Sequence, residues 1–196
     1  MSGPPAVQLD ETYAHQVAAR FLDAPSTPRD PFTATAYRLL ELQTDRLFYR
    51  LTRPGSARTV RVVFTRSRAP YASDNEMIAA VRATRVLEAV TAGVDPDRQH
   101  PLLGNEPGGA YDRFRAVHDL IGHVRPGHGF DRHGEFAAWL AQDSLYRGLA
   151  RRALASELHA EHSVLWTTGV LAEHKATLVA THVIRRARRG LLGRST

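Results

Sequence analysis

Two histidines that lie close together in the chain are the best candidates for metal chemistry. His118 and His123 are five positions apart in the segment FRAVHDLIGHV, whose apolar residues have helical spacing. In a regular α-helix this separation turns two side chains about 140° apart, whereas metal-binding pairs on helices are usually four positions apart. The pair can chelate one metal if the backbone turns after Gly122, with Pro126 and Gly127 following. The alternative is a pair of structural histidines that are hydrogen-bonded at a helix end.

Acidic residues further along the chain could complete such a site. Glu157 and Glu161 lie on or beside the apolar stripe of one predicted helix, and Glu135 lies one turn before Trp139 on the helix before it. A buried carboxylate is costly unless it is paired or bound to a cation. Two histidines and one carboxylate on one side of a metal form the facial triad of non-heme Fe(II) oxygenases, which keeps positions open for O2 and substrate. Pairing with arginine is the alternative for at least one of these glutamates.

The histidine segment resembles a known iron-binding signature. His118–Val124, HDLIGHV, is similar to the HELLGHV-type motif of the pterin-dependent aromatic amino acid hydroxylases. In that family both histidines bind iron, and a glutamate on a later helix is the third ligand. Its matching context here is Ser156-Glu157-Leu158. The resemblance covers residues 111–166 and implies that His118, His123 and Glu157 hold Fe(II).

The resemblance also implies an activity. It predicts a small monooxygenase that hydroxylates an aromatic or similarly sized substrate with O2, with a tetrahydropterin as candidate reductant. Asp119 stands where the family motif has glutamate, and we predict Asp119 and Glu135 as catalytic residues. No cofactor-binding residue is assigned. The same stretch also resembles short phage and bacterial proteins that share an RFRAVHD…GH…GE…AW…E pattern.

A metal-dependent phosphohydrolase is one alternative interpretation. His118 and Asp119 form an HD dipeptide, and together with His100 and Asp143 they imitate the metal ligands of HD-domain enzymes. This interpretation gives no role to the second histidine of the pair or to the downstream glutamate.

Two further alternatives remain open. A carboxylate-bridged diiron site could use the two histidines with Glu135, Glu157 and Glu161, although the chain lacks the Glu-x-x-His pairs of ferritin-like proteins. A non-enzymatic helical interaction module would instead use the basic residues near the C-terminus, which are Arg185, Arg186, Arg188 and Arg189. A basic run of this kind is also typical of a solvated helix end.

The elements that must position these residues are mainly helices. We predict a mainly α (α+β) fold with a small β element in the N-terminal half. The expected helices are Asp10–Leu22, Phe32–Leu51, Ser73–Arg82, one from Tyr111 to Pro126, His133–Leu149, Arg151–Thr168 and Leu171–Arg189. Thr59–Thr65 predicts a strand, Arg85–Val90 a second strand or a helix continuation, and residues 92–110 a long loop.

The length and composition of the chain limit the number of domains and exclude several classes of protein. The 196 residues fit a loose tail over residues 1–8 and a single domain over 9–196, in which 9–110 precede a helical metal-binding core at 111–190. The absence of cysteine excludes zinc fingers, iron–sulfur clusters and thiol catalysis. No apolar run approaches the roughly 20 residues of a membrane helix, and we expect a cytoplasmic protein. The net charge of +6 comes almost wholly from arginine, and nucleic-acid binding is not expected.

Overall fold

The fold is mainly helical, as the sequence predicts, with a small two-stranded parallel sheet. A computed structural model describes residues 7–26, 30–55, 58–95 and 98–192, with side chains described as far as residue 187. The helices are α1 (Glu11–Asp23), α2 (Pro31–Thr52), α3 (Asp74–Thr84), α4 (Ala110–His118), α5 (Arg132–Asp143), α6 (Ala150–Leu154), α7 (Glu161–Thr168) and α8 (Thr181–Leu192). Asp119–Val124 and Ala155–Ala160 are π-helical and continue α4 and α6.

Side-chain caps explain why several helices begin close to the predicted positions. The carboxylates of Asp10 and Asp30 accept hydrogen bonds from the third residue beyond them, at 2.7 and 2.9 Å. Ser73 and Asp131 cap α3 and α5 in the same manner. Each cap satisfies a backbone N–H that has no partner inside its helix.

The predicted end of α5 was wrong. The sequence predicted a helix to Leu149, but α5 ends at Asp143. The amides of Leu145 and Tyr146 bond back to carbonyls only three residues earlier. This tighter turn buries Tyr146, whose hydroxyl lies 2.8 Å from Oγ1 of Thr44.

The sheet consists of β1 (Arg61–Thr65) and β2 (Val86–Val90), with Val63 opposite Glu88. The second strand was one of the two outcomes expected for this segment. Helix α3 connects the two parallel strands, and the left-handed backbone of Arg85 (φ 58°) ends that helix and leads into β2. The buried face of β2 packs against α4 and its π-helical continuation.

The helix that carries the histidine pair lies between two hydrophobic clusters. Phe114 belongs to the larger one, together with Trp139 of α5. Val117 belongs to the smaller one, together with Leu87 of β2. Packing on both sides fixes this helix in place, and the residues at its end are held with it.

The first half of the last predicted helix is extended instead. The sequence predicted a helix over Leu171–Arg189, but α8 begins only at Thr181. The ammonium group of Lys175 is buried and donates to the carbonyls of Leu22 and Ala24, at 2.8 and 2.9 Å. These long-range bonds replace the local ones of a helix, and apolar spacing alone does not indicate them.

Some predictions lie outside the described residues. These are residues 1–6 of the predicted tail and the side chains of Arg188 and Arg189 in the basic run. Within the described part of the chain, every helix is too short or too polar to cross a membrane.

Candidate metal centre

The two predicted metal-binding histidines meet because their helix widens. α4 ends at His118, and Asp119–Val124 forms a π-helical turn. A π-helical turn holds more residues than an α-helical one, since its hydrogen bonds join residues i and i+5. Residues five apart therefore share one face, and Nε2 of His118 lies 3.1 Å from Nε2 of His123. The expected turn after Gly122 is not the cause, because Gly122 lies inside the π-helical segment.

Gly122 makes room for the first histidine. A Cβ atom at this position would lie 2.9 Å from Cβ of Ala138 and 3.2 Å from two atoms of the His118 ring. Real Cβ atoms essentially never approach another atom as closely as the first of these distances. The close contact between the π-helical turn and α5 therefore requires glycine.

Hydrogen bonds donated by Nδ1–H determine which nitrogen each histidine presents to a metal. Nδ1–H of His118 donates to Oε1 of Gln142 (2.9 Å), and Nδ1–H of His123 donates to the backbone oxygen of His128 (3.0 Å). The amide nitrogen of Gln142 lies 3.4 Å from the hydroxyl of Tyr146, which accounts for the orientation of the amide. A neutral imidazole with its proton on Nδ1 offers the lone pair of Nε2. Both Nε2 atoms are thus available as ligands.

Glu135 of α5 is the carboxylate that meets the histidine pair. Its Oε2 lies 3.3 Å from Nε2 of His118 and 3.5 Å from Nε2 of His123. His162 of α7 places its Nε2 3.5 Å from the same oxygen. Burial alone would raise the pKa of Glu135, but the adjacent imidazoles of His118 and His123 outweigh burial and lower it well below its usual range. Glu135 is therefore an anion. Together with His118 and His123 it forms one potential metal-binding group.

Without a cation, a proton on His123 partly offsets the negative charge of Glu135. Burial lowers the pKa of His123, but the hydrogen bond and negative charge of Glu135 outweigh it and raise the pKa above its usual value. A proton on Nε2 of His123 can then be donated to Glu135. A divalent cation would replace that proton and attract all three lone pairs.

The structure places Glu157, the predicted third ligand, in a different cluster. Oε1 of Glu157 accepts a hydrogen bond from the hydroxyl of Tyr37 and lies 3.2 Å from Nε2 of His100. Among the described residues, Glu157 groups with Glu161 and His174 as potential metal ligands, and not with the histidine pair. The carboxylate that groups with the histidine pair is instead Glu135, which was predicted as a catalytic residue.

This second cluster is acidic and largely enclosed. Oε1 of Glu161 lies 3.0 Å from Nδ1 of His174. Burial and then the charge of Glu157 raise the pKa of Glu161 well above its usual range. Burial lowers the pKa of His174, with Glu157 acting in the opposite sense. Oε2 of Glu157 is buried and has no hydrogen-bond partner among the described residues.

Both clusters line the same cavity, which has a volume of about 680 Å³. Its wall combines aromatic side chains with basic ones. The aromatic residues are Tyr111, Phe114, Phe130 and Trp166, and the arginines are Arg68, Arg98 and Arg115. Such a wall can surround a small organic molecule and pair with an anionic group on it.

Asp119, the other predicted catalytic residue, lines this cavity but belongs to neither potential metal group among the described residues. Burial raises its pKa. The four residues of the HD-type alternative do not come together. Asp143 forms a bidentate ion pair with Arg151, at 3.0 and 2.6 Å. His100 instead contacts Glu157 in the second cluster.

Sequence reasoning gave no ligand role to three residues at these clusters. Gln142 follows Glu135 by seven positions, so helical periodicity places both on one face of α5. His162 lies on α7, and its contact with Glu135 joins two different helices. His174 lies in the extended segment that the sequence predicted as helix. Only the long-range contacts of that segment could have revealed it.

Comparison with known protein families, curated proteins and solved structures gave no match. The two clusters and the cavity that they both line are therefore the basis for a proposed function.

Proposed function

We propose that this protein is a non-heme Fe(II)-dependent monooxygenase that holds iron through His118, His123 and Glu135. The supporting observation is the convergence of two imidazole Nε2 atoms and an anionic carboxylate oxygen within 3.5 Å of one another. Their chemistry fits the facial set of two histidines and one carboxylate that binds Fe(II) and leaves positions open. Bound iron would supply O2 activation.

The protein residues have separate tasks around such a site. Gln142 and the carbonyl of His128 hold the imidazoles with Nε2 toward the metal. Glu135 supplies negative charge, and Nε2 of His162 lies 3.5 Å from its Oε2. Partners of this kind fix the orientation of the ligands and tune their basicity.

The cavity favours a small aromatic substrate with an acidic group. Phe130 and Trp166 offer aromatic surface, and Arg115 offers a positive charge in the same cavity as the histidine pair. The resemblance to the aromatic amino acid hydroxylases supports the same substrate class, with a tetrahydropterin as reductant. In this reaction one oxygen atom of O2 enters the substrate. The pterin supplies the two electrons that reduce the other atom to the level of water.

The test is anaerobic reconstitution with Fe(II), followed by measurement of bound iron and of O2 uptake with a tetrahydropterin and a set of aromatic amino acids. We expect Glu135→Gln and His123→Ala to lose one equivalent of iron and all substrate-dependent O2 uptake. His15→Ala is the control, because His15 is exposed on α1. Retention of iron by Glu135→Gln, combined with loss of the same equivalent in both His123→Ala and Glu157→Gln, would restore Glu157 as the third ligand. An absence of O2 uptake in the iron-loaded protein would argue against a monooxygenase.

The phosphohydrolase and interaction-module alternatives stay predictions. The first lacks an assembled set of HD-type ligands among the described residues. The second would use Arg185 and Arg186, which are exposed on α8. Metal-dependent hydrolysis of a phosphoester would favour the first, and salt-sensitive binding to a polyanion by metal-free protein would favour the second.

A further inference from the structure

We propose that Glu157, Glu161 and His174 form a second cation site, separate from the proposed iron site but lining the same cavity. One ligand atom from each of these residues lies within 4.8 Å of those of the other two. None of the three is needed for the site formed by the histidine pair and Glu135. The second site therefore does not depend on iron binding at the first.

The groups that hold Glu157 bring no positive charge to it. Nδ1 of His100 accepts hydrogen bonds from the amides of Leu102 and Leu103, at 3.1 and 2.8 Å. His100 therefore carries its proton on Nε2, is neutral, and donates that proton toward Glu157. The other donor, the Tyr37 hydroxyl, is neutral as well. The carboxylate receives hydrogen bonds from both groups but no positive charge.

A second carboxylate lies beside the first. Glu161 follows Glu157 after the π-helical segment, and the ligand oxygens of the two lie within 4.8 Å. In an enclosed site, two ionised carboxylates at this separation would repel strongly unless a divalent cation lay between them.

One carboxylate oxygen is left for such a cation. Oε1 of Glu157 is occupied by Tyr37 and His100, whereas Oε2 is buried without a partner among the described residues. The side chain of Glu157 is only 1% exposed, so bulk water does not compensate the unpaired oxygen. A buried acceptor without a partner is costly, and coordination of a cation would satisfy it.

The third ligand is held by an anchored segment. His174 precedes Lys175, whose ammonium group is fixed to the carbonyls at the end of α1. Arg98 adds a second anchor by donating to the carbonyl of Ala172 at 3.0 Å. These bonds hold the imidazole against Glu161, with Tyr111 edge-on to its ring.

The donor set indicates the class of cation. Two carboxylates and one imidazole, with no sulfur ligand, suit Mn²⁺, Fe²⁺ or Zn²⁺. We therefore expect the purified protein to bind two divalent cations of this class per chain, one at each cluster.

The test is equilibrium binding of Mn²⁺ alone, measured by dialysis and elemental analysis, to the full chain. We expect two equivalents for the wild type, and one for Glu161→Gln, for His174→Gln and for Glu135→Gln. Glu173→Gln, an exposed neighbour of His174, should still bind two. Circular dichroism and a melting curve identify any variant that has not folded. His174→Gln provides the test if Glu161→Gln is not folded.

Each outcome separates the two sites. Loss of one equivalent in Glu161→Gln or His174→Gln, with the other retained, supports the second site even if Glu135→Gln changes nothing. Full retention of the wild-type stoichiometry in both of these variants would overturn it. The proposal would also be overturned if the wild type bound one equivalent that was lost in Glu135→Gln as well as in Glu161→Gln and His174→Gln. The two clusters would then share one cation.

Discussion

Gln142 accepts the Nδ1–H of His118 at 2.9 Å and is itself completely buried. This contact sets the tautomer of the histidine from behind the proposed metal site. We expect Gln142→Leu to weaken Mn²⁺ or Fe²⁺ binding by about 10- to 100-fold, because Nδ1 then lacks its acceptor. Gln142→Glu keeps an acceptor and should retain the affinity.

The measurement for this prediction is a titration of metal affinity at one pH, with melting curves of both variants as control. Equal affinity in Gln142→Leu and wild type would mean that another group orients His118.

Gly122→Ala should disturb the π-helical turn. The added methyl group would meet Cβ of Ala138 and the ring of His118. We expect a loss of about 1–3 kcal/mol in the free energy of unfolding, as for other overpacked sites, together with weaker metal binding. Urea unfolding measures the first effect and metal titration the second.

A second substitution separates the two contacts at this position. Adding Ala138→Gly removes the closer contact, so the double variant should regain stability relative to Gly122→Ala but keep part of the loss in metal affinity. Wild-type stability in Gly122→Ala alone would show that the turn can shift without cost.

Protonation of His159 should destabilise the fold in acid. Its ring stacks on Trp139, with centroids 4.4 Å apart, and its Nε2 lies 3.0 Å from the hydroxyl of Tyr13. Burial lowers the pKa of His159 to about 3. The unfolded chain therefore takes up this proton near the ordinary pKa of 6.5, whereas the folded protein does not until near 3. Stability falls as the pH decreases between these values, by about 1.4 kcal/mol per pH unit from this one group.

Urea unfolding of metal-free protein at pH 6.5 and pH 4.5 measures this effect. His159→Phe keeps an aromatic ring next to Trp139 and should have a flatter pH profile than the wild type. Identical pH profiles would assign the acid sensitivity to other groups.

Lys175→Met should loosen the extended segment before α8. The substitution keeps an apolar chain against Phe21 but leaves the carbonyls of Leu22 and Ala24 without their donor. We expect a loss of about 1–3 kcal/mol in stability and weaker Mn²⁺ binding at the second cluster. Binding at the histidine pair should be unchanged. Equal losses at both clusters would indicate general unfolding instead of a local effect.

The sequence supports predictions where local rules decide the structure. Apolar periodicity and the capping residues Asp10, Asp30 and Ser73 define the helical starts, and β-branched residues indicate β1. The sequence also indicated that His118 and His123 could lie close together. The cause of this proximity, a π-helical turn, was not predictable, because propensity does not separate i+4 from i+5 bonding.

The remaining features depend on contacts between distant residues. Glu135 and Glu157 both occupy buried stripes, and nothing in their spacing indicates which of them meets the histidines. Tyr37 and His100 decide this by holding Glu157 in the second cluster. The first half of the last predicted helix became extended for a similar reason, since Lys175 bonds to residues that lie more than 150 positions earlier.

The late position of His174 in the chain sets an order of events during synthesis. His118, His123 and Glu135 lie within 18 successive residues, whereas the second cluster also needs His174, carried by the segment fastened to the end of α1. Because the chain is synthesised from its N-terminus, a nascent chain contains His118, His123 and Glu135 before it contains His174. The order of translation therefore completes the ligands of the proposed iron site first, and His174 is the last ligand of the second cluster to be added.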